Sequence, residues 1–182
     1  SVTASFADID NDGDADLYVT SVRTGNRLFL NDGHGRFDDI SRISGVAHQG
    51  HSSAAVFFDY DRDGKLDLFL ANVGRYTNEK LRTVVNDRTD AGRDEGQFRF
   101  YDGLSDAFAG HLHANRNERS LLFRNEGGGH FEDVTESVGL DDISWSGDAS
   151  PIDANQDGWP DLYVLNMQGH DEYYENVEGK KF

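Results

Sequence analysis

The chain has 182 residues, the length of one domain or of part of a larger repeat protein, and 36% are hydrophobic, with twelve Phe, seven Tyr and two Trp; that is enough for a core and argues against wholesale disorder. A formal net charge of −17 argues against binding nucleic acid or an anionic membrane by simple electrostatics. With no cysteine there is neither a disulfide nor a thiolate metal site, no stretch approaches the length of a membrane-spanning helix, and Ser1-Val-Thr-Ala does not read as a signal peptide.

In chain order, a first strand is expected at Ala4 to Ala7, running into the acidic loop Asp8-Ile-Asp-Asn-Asp-Gly-Asp-Ala-Asp16. Leu17 to Ser21 leaves it as a second strand, and Arg27 to Leu30 with Arg36 to Ile40 form a hairpin over a glycine-rich turn. A short return through Ile43-Ser-Gly-Val46 leads to Val56-Phe-Phe58 and a second loop, Asp59-Tyr-Asp-Arg-Asp-Gly-Lys-Leu-Asp67, left by Leu68-Phe-Leu70. The only hint of helical periodicity lies at Thr77 to Val85. Ser120 to Asn125 and Gly129-His130-Phe131 repeat the hairpin, and Val138-Gly139-Leu140 repeats the return. Pro151-Ile152 then enters the third loop, Asp153-Ala-Asn-Gln-Asp-Gly-Trp-Pro-Asp161, followed by Leu162 to Leu165 and by Asp171 to Asn176 leading to Phe182.

The loops begin at 8, 59 and 153, and the hairpin Phe residues stand at 37, 131 and 182. From loop start to Phe is 29 residues in the first and third units and 72 in the second, while from Phe to the next loop is 22 both times. The period is therefore 51, with a 43-residue insertion in the second unit. Four antiparallel strands at about 40–50 residues per unit is the pattern of an all-β fold of β-propeller blades. The expected division is blade 1 at 1–47, blade 2 at 48–141 with an insertion at about 73–118, and an incomplete blade 3 at 142–182. Three blades do not close a ring, since propellers have about four to eight, so the chain is expected to be a fragment.

Each loop places oxygen-bearing side chains at positions 1, 3, 5 and 9 with glycine at 6, and the three loops together hold twelve of the 34 acidic residues. Alternate residues of an extended chain project the same way, so such carboxylates converge as the ligands of a hard cation. The metal-ligand candidates are Asp8, Asp10, Asp12, Asp14 and Asp16; Asp59, Asp61, Asp63, Lys65 and Asp67; and Asp153, Asn155, Asp157, Trp159 and Asp161. Position 7 is Asp14, Lys65 or Trp159, three unrelated side chains, which is expected if it offers only its backbone carbonyl. Positions 2 and 4 vary as well and are expected to point outward, whereas Gly13, Gly64 and Gly158 mark a sharp turn at positive φ. Calcium suits this set, with about three ions; zinc would want His or Cys. An EF-hand needs Glu at position 12, where Val19, Leu70 and Val164 stand inside strands. The third site, with Asn155 where the others have Asp, is expected to be weakest.

These residues resemble the FG-GAP/VCBS repeat family, whose blades build the calcium-bearing propeller of integrin α subunits. Residues 57–70, 122–140 and 157–167 are similar to bacterial FG-GAP proteins and the cartilage-acidic-protein-like, ASPIC/UnbV-associated group. The resemblance implies a seven-bladed propeller, calcium between the first two strands of each blade, and a secreted, cell-surface or periplasmic protein of bacterial origin. It implies no activity.

The insertion mixes Arg75, Arg82, Arg88, Arg93, Arg99 and Arg116 with acids and with Phe98, Phe100, Tyr101, Phe108, His111 and His113, and is the first place to look for a partner. His111-Leu-His113 alone does not make a metal or catalytic pair, and no nucleophile motif or phosphate loop is present. Glu126, Glu132, Glu136 and Asp141-Asp142 could be cast as carboxylates for glycosidic chemistry. The expected function is a non-enzymatic, calcium-binding extracellular module for adhesion, ligand binding or surface assembly, with an extracellular protein or glycan ligand or self-association and neither nucleic acid nor membrane insertion. Alternatives are an architectural subunit of an extracellular polymer and a calcium-dependent polysaccharide-acting enzyme.

Overall fold

The computed structural model describes residues 2–22, 24–76, 83–85, 99–101 and 112–182. Strands β1 (Ala4–Ala7), β2 (Asp16–Val19), β3 (Arg27–Asn31) and β4 (Phe37–Asp39) form one antiparallel meander in sequence order. A four-residue helix, α1 (Ser41–Ser44), returns the chain to β5 (Ser52–Phe58), which pairs with β6 (Asp67–Asn72). Next come β7 (Thr83–Val85) and β8 (Arg99–Tyr101), which pair with each other. β9 (Leu121–Gly127) and β10 (His130–Asp133) complete the second sheet in the order β10-β9-β6-β5. β11 (Trp145–Ile152), β12 (Asp161–Gln168) and β13 (Glu172–Tyr174) make a third sheet in sequence order. The chain is thus all-β, built from antiparallel meanders of the kind that form propeller blades. The helix expected over 77–85 is corrected at Thr83–Val85, which is strand; 77–82 lie outside the described residues.

Strand periodicity decides the packing. β6 is buried along its whole length, because the middle sheet is covered on both faces. Leu68 and Leu70 join Tyr18, Leu28, Val46, Phe123 and Phe131 between the first and second sheets. The alternate residues Phe69 and Ala71 turn the other way, joining Leu122, Val138, Leu140, Leu162 and Val164 between the second and third. Alternation sends successive side chains to opposite faces, so an unbroken apolar run serves two cores at once. Burying a Leu or Phe completely contributes about 1.5–3 kcal/mol, and Leu68, Phe69, Leu70 and Leu122 are each at most 1% exposed.

The end sheets keep an apolar face in water. Tyr163, Leu165, Met167 and Tyr173 are 37%, 42%, 58% and 47% exposed, although Tyr163 occupies the position that buried Tyr18 and Phe69 hold in the other two sheets. The return from the first sheet is fitted closely: Gly45 has φ 87°, and a Cβ there would lie 2.5 Å from the Phe131 carbonyl oxygen of the second. Within a sheet, the hydroxyl after the outermost strand closes the edge. Leu28 N–H donates to Ser41 Oγ at 2.9 Å, and Leu122 N–H donates to Thr135 Oγ1 at 2.8 Å.

The register places the acidic loops together. Ala7 faces Asp16, Phe58 faces Asp67 and Ile152 faces Asp161, so the three loops leave their sheets at the same strand ends. The insertion joins β6 to β9 at the opposite end, after Leu70 has paired with Leu121.

Candidate metal centres

Each acidic loop is folded by its own carboxylates. The position-1 Asp caps the turn: Asp8 accepts Asp12 N–H at 3.1 Å and Gly13 N–H at 3.0 Å. Asp59 accepts Asp63 and Gly64 N–H at 3.1 and 2.9 Å, and Asp153 accepts Asp157 and Gly158 N–H at 3.1 and 3.0 Å. The position-5 Asp accepts the position-7 N–H in every loop: Asp14 to Asp12, Lys65 to Asp63 and Trp159 to Asp157. The turn itself needs left-handed backbone at two residues. Gly13, Gly64 and Gly158 have φ of 95°, 87° and 89°, and the position-4 residues Asn11, Arg62 and Gln156 have φ of 61°, 59° and 63°. Glycine meets the first requirement without steric cost, while the non-glycine residues tolerate αL only as single positions.

The position-9 Asp ties the loop to its sheet. Asp16 Oδ2 accepts Ile9 N–H at 3.0 Å, and its Oδ1 accepts Asn31 N–H at 2.8 Å. Asp67 does the same with Tyr60 and Asn125, and Asp161 with Ala154 and Asn176. Carboxylate oxygens carry two lone pairs each, so these bonds leave room for a cation.

In two loops the carboxylates converge. Ligand oxygens of Asp8, Asp10 and Asp16 all lie within 4.8 Å of one another, as do those of Asp59, Asp61 and Asp67. Either group could hold a metal ion. Such proximity is unfavourable without a counter-charge. Burial, then the charges of Asp12 and Asp16, pushes the Asp10 carboxyl above its ordinary value. Burial also raises Asp16 and, joined by the charge of Asp63, Asp61. Asp67, fully buried, is pushed up to about 7, chiefly by burial. A divalent ion offsets the repulsion that these oxygens otherwise bear.

The third loop is arranged differently. Asn155 turns its amide toward Asp157 Oδ2 at 3.0 Å and Glu175 Oε1 at 3.1 Å, and the Tyr173 hydroxyl donates to Asp161 Oδ2 at 2.6 Å. Although burial acts upward on Asp161, these donors (Tyr173, Asn176 and Ala154) hold it below its ordinary value. Its acids do not form a converging group as the other two loops do.

Position 2 points outward as expected only in the third loop, where Ala154 is exposed; in the first two it does not. Ile9 and Tyr60 are 1% and 2% exposed, because their side chains enter the cores between sheets. Position-4 side chains reach the neighbouring loop instead: Asn11 Nδ2 donates to the Gly64 carbonyl at 3.1 Å, and the Arg62 guanidinium lies 5.1 Å from the Trp159 ring centroid. Lys65 folds back to pair with Asp63.

Among the described residues, the other carboxylates do not gather into a metal-holding group. Glu126 and Glu132 both pair with Arg124, Asp141 pairs with Arg119, and Asp142 accepts the Ser146 hydroxyl. His111 lies outside the described residues, as do Arg82, Arg88, Arg93, Phe98 and Phe108; Arg116 is buried and donates to the Tyr76 carbonyl. Nothing in the loop pattern had singled out Asn125 and Asn176, both 1% exposed. A signal was present, since Asn31, Asn125 and Asn176 close the same strand of each repeat.

Comparison with known proteins agrees with this arrangement. The family described as FG-GAP-like repeat matches residues 8–70 and 101–164, more than half of the chain. Cartilage acidic protein 1 of Xenopus tropicalis is 22% identical over 201 residues, a match that takes in 92% of this chain and 31% of that protein. The chain thus spans about a third of the length of the relative it matches.

Proposed function

The chain belongs to the FG-GAP-like repeat family, and from that premise we propose that it is a calcium-binding, non-enzymatic β-propeller module of the extracellular space or cell surface. The observation that carries this reading is the convergence of Asp8, Asp10 and Asp16, and of Asp59, Asp61 and Asp67, at the mouths of two adjacent sheets. All-oxygen ligands with backbone contributions fit calcium, which takes six to eight oxygens at roughly 2.3–2.6 Å. Asp12 and Asp63 would complete the side-chain set, with the backbone carbonyls of Asp14 and Lys65. The third loop would hold an ion through Asp153, Asn155, Asp157, Asp161 and the Trp159 carbonyl, more weakly for want of a carboxylate. Bound calcium would supply positive charge that fastens the first two strands of a blade at their open end; it performs no reaction here.

Blade 1 is proposed to occupy 1–47, blade 2 48–141 and blade 3 142–182. A protein or glycan partner is proposed at the opposite end, where the insertion leaves β6 and enters β9, so that binding and ion chemistry use different ends of the blades. Adhesion, ligand capture and surface assembly all fit this layout. The exposed apolar face with Tyr163, Leu165, Met167 and Tyr173 favours, as a second reading, an architectural unit that packs blade against blade between chains.

Thermal melting with calcium and then with EDTA tests the central claim. Calcium at 100-fold its dissociation constant should stabilise by about 2.7 kcal/mol per occupied site. An identical melt in EDTA, with no metal found by elemental analysis, would defeat it.

A further inference from the structure

In the first two loops the second residue has its backbone N–H and its carbonyl held from two sides, and the two holds belong to different sheets. Ile9 N–H donates to Asp16 Oδ2 at 3.0 Å within its own loop, while the Ile9 carbonyl accepts Asn125 Nδ2 of the second sheet at 2.8 Å. The arrangement recurs one sheet on. Tyr60 N–H donates to Asp67 Oδ2 at 3.0 Å, and the Tyr60 carbonyl accepts Asn176 Nδ2, beyond the third sheet's last strand, at 2.9 Å.

The asparagines are fully committed. Asn125 sends its second amide hydrogen to the Leu66 carbonyl at 3.0 Å and accepts Gly127 N–H at 2.8 Å on Oδ1. Asn176 does likewise with the Pro160 carbonyl at 2.9 Å and Gly179 N–H at 2.8 Å. Their own N–H groups end on Asp67 Oδ1 and Asp161 Oδ1, each at 2.8 Å. A continuous path of bonds therefore runs Asp16, Ile9, Asn125, Asp67, Tyr60, Asn176, Asp161, threading all three loops. Asn31 is the contrast: its amide reaches only the Ala15 carbonyl of its own loop, at 3.0 Å, among the described residues.

We infer that Asn125 and Asn176 are positioning residues that couple ion binding in one blade's loop to the junction with the next blade. The inference rests on the calcium reading above. Asp8 and Asp10 flank Ile9 in the chain, as Asp59 and Asp61 flank Tyr60. An asparagine that fixes the intervening peptide sets the direction of both flanking carboxylates before the ion arrives, so less ordering remains to be done on binding. Coupling of this kind is reciprocal: an ion that fixes the loop also tightens the contact with the following blade. Removing the asparagine side chain takes from a buried carbonyl the donor that satisfies it, at the cost of one hydrogen bond.

The Gly13, Gly64 and Gly158 amides, each bonded to the position-1 Asp of its loop, report the three sites separately in a calcium titration followed by NMR. Asn125→Ala should raise the calcium midpoint at Gly13, in the preceding blade, as well as at Gly64, by about three- to tenfold, the size that one hydrogen bond's net contribution gives; Gly158 should not move. Asn176→Ala should shift Gly64 and Gly158 and spare Gly13, and keeps the test available if Asn125→Ala does not fold. Asn31→Ala should affect Gly13 alone. An unmoved Gly13 midpoint in Asn125→Ala, or an equal shift of all three reporters, overturns the coupling. Wild-type amides that ignore calcium altogether would overturn the calcium reading itself, and the coupling with it, a result plainly different from the other two.

Discussion

Replacing Asp59 by Asn and by Ala separates the two tasks of the position-1 carboxylate. Asp59 accepts the Asp63 and Gly64 N–H groups and contributes to the repulsion that raises the Asp61 carboxyl, behind burial and Asp63. Without calcium, Asn removes one charge from the crowd but keeps only one of the two acceptor oxygens and turns its NH2 to the other N–H, so Asp59→Asn should melt between the wild type and Asp59→Ala. Ala removes both acceptors, leaving the Gly64 amide to solvent and the Asp63 amide with Asp61 Oδ1 at 3.2 Å, and should cost about 1–2 kcal/mol, the size of a lost capping interaction. With calcium at 100-fold its dissociation constant, the wild type gains about 2.7 kcal/mol from this site and both variants forgo most of it. For a chain of this size that corresponds to a gap of about 5–10 °C in melting temperature. Calorimetry of the three proteins with and without calcium gives all six values. If Asp59→Asn gained as much from calcium as the wild type, the carboxylate would not be a ligand and the reasoning would fail.

Asn155→Asp should strengthen the third site: in EDTA the new charge faces Asp157 and Glu175 and lowers the melt, while calcium affinity followed by Trp159-sensitised terbium luminescence should rise severalfold; unchanged affinity would rule out position 3 as a ligand. Phe69→Ala should cost about 3–5 kcal/mol by denaturant titration, since Phe69 is 1% exposed between the second and third sheets; a loss below about 1 kcal/mol would mean that these sheets do not share a core. Glu118→Gln bears on the end remote from the loops. Burial acts upward on Glu118, but the hydrogen bonds from His51 hold its pKa below the ordinary 4.5, with His51 Nδ1 at 2.8 Å and His51 N–H at 2.7 Å. A lowered folded pKa contributes stability that is present above about 4.5 and lost as pH falls through the folded value. The variant should therefore be less stable than the wild type at pH 7, with the gap closing on acidification below the ordinary Glu range. A gap independent of pH would show that the Glu118 charge contributes nothing.

The period of the repeat was legible because its marks are covalent in the sequence: an Asp-Gly turn and a Phe after a glycine-rich hairpin recur at fixed distances. The short apolar run Leu68-Phe-Leu70 likewise announced a strand, and the structure puts Leu68 and Leu70 on one face and Phe69 on the other. The inward turn of Ile9 and Tyr60 was not legible, since it depends on the next sheet being there to receive each side chain, a tertiary event. Reading variability at position 2 as exposure failed for that reason: Ile and Tyr differ in shape, but each meets a different neighbour in a different core. The strand at Thr83–Val85 follows the same lesson. A β-branched run of Thr-Val-Val carries weak helical periodicity by accident, and pairing with Arg99–Tyr101 decides it. The asparagine contacts between sheets were out of reach for the sequence, because their partners stand 116 positions away.

The pairing of Leu70 with Leu121 has a consequence for how such a protein can change. Everything between these residues enters and leaves through two adjacent strands, so its ends are held about 5 Å apart whatever it contains. Lengthening a connection whose ends are already fixed costs little, about 0.6 kcal/mol per doubling. The second blade thus works as a cassette holder. Segments of other lengths and chemistries could be exchanged at that position over generations, or by a protein engineer, while the blade's hydrophobic faces stay the same. A family could in this way diversify what it recognises without renegotiating how it folds.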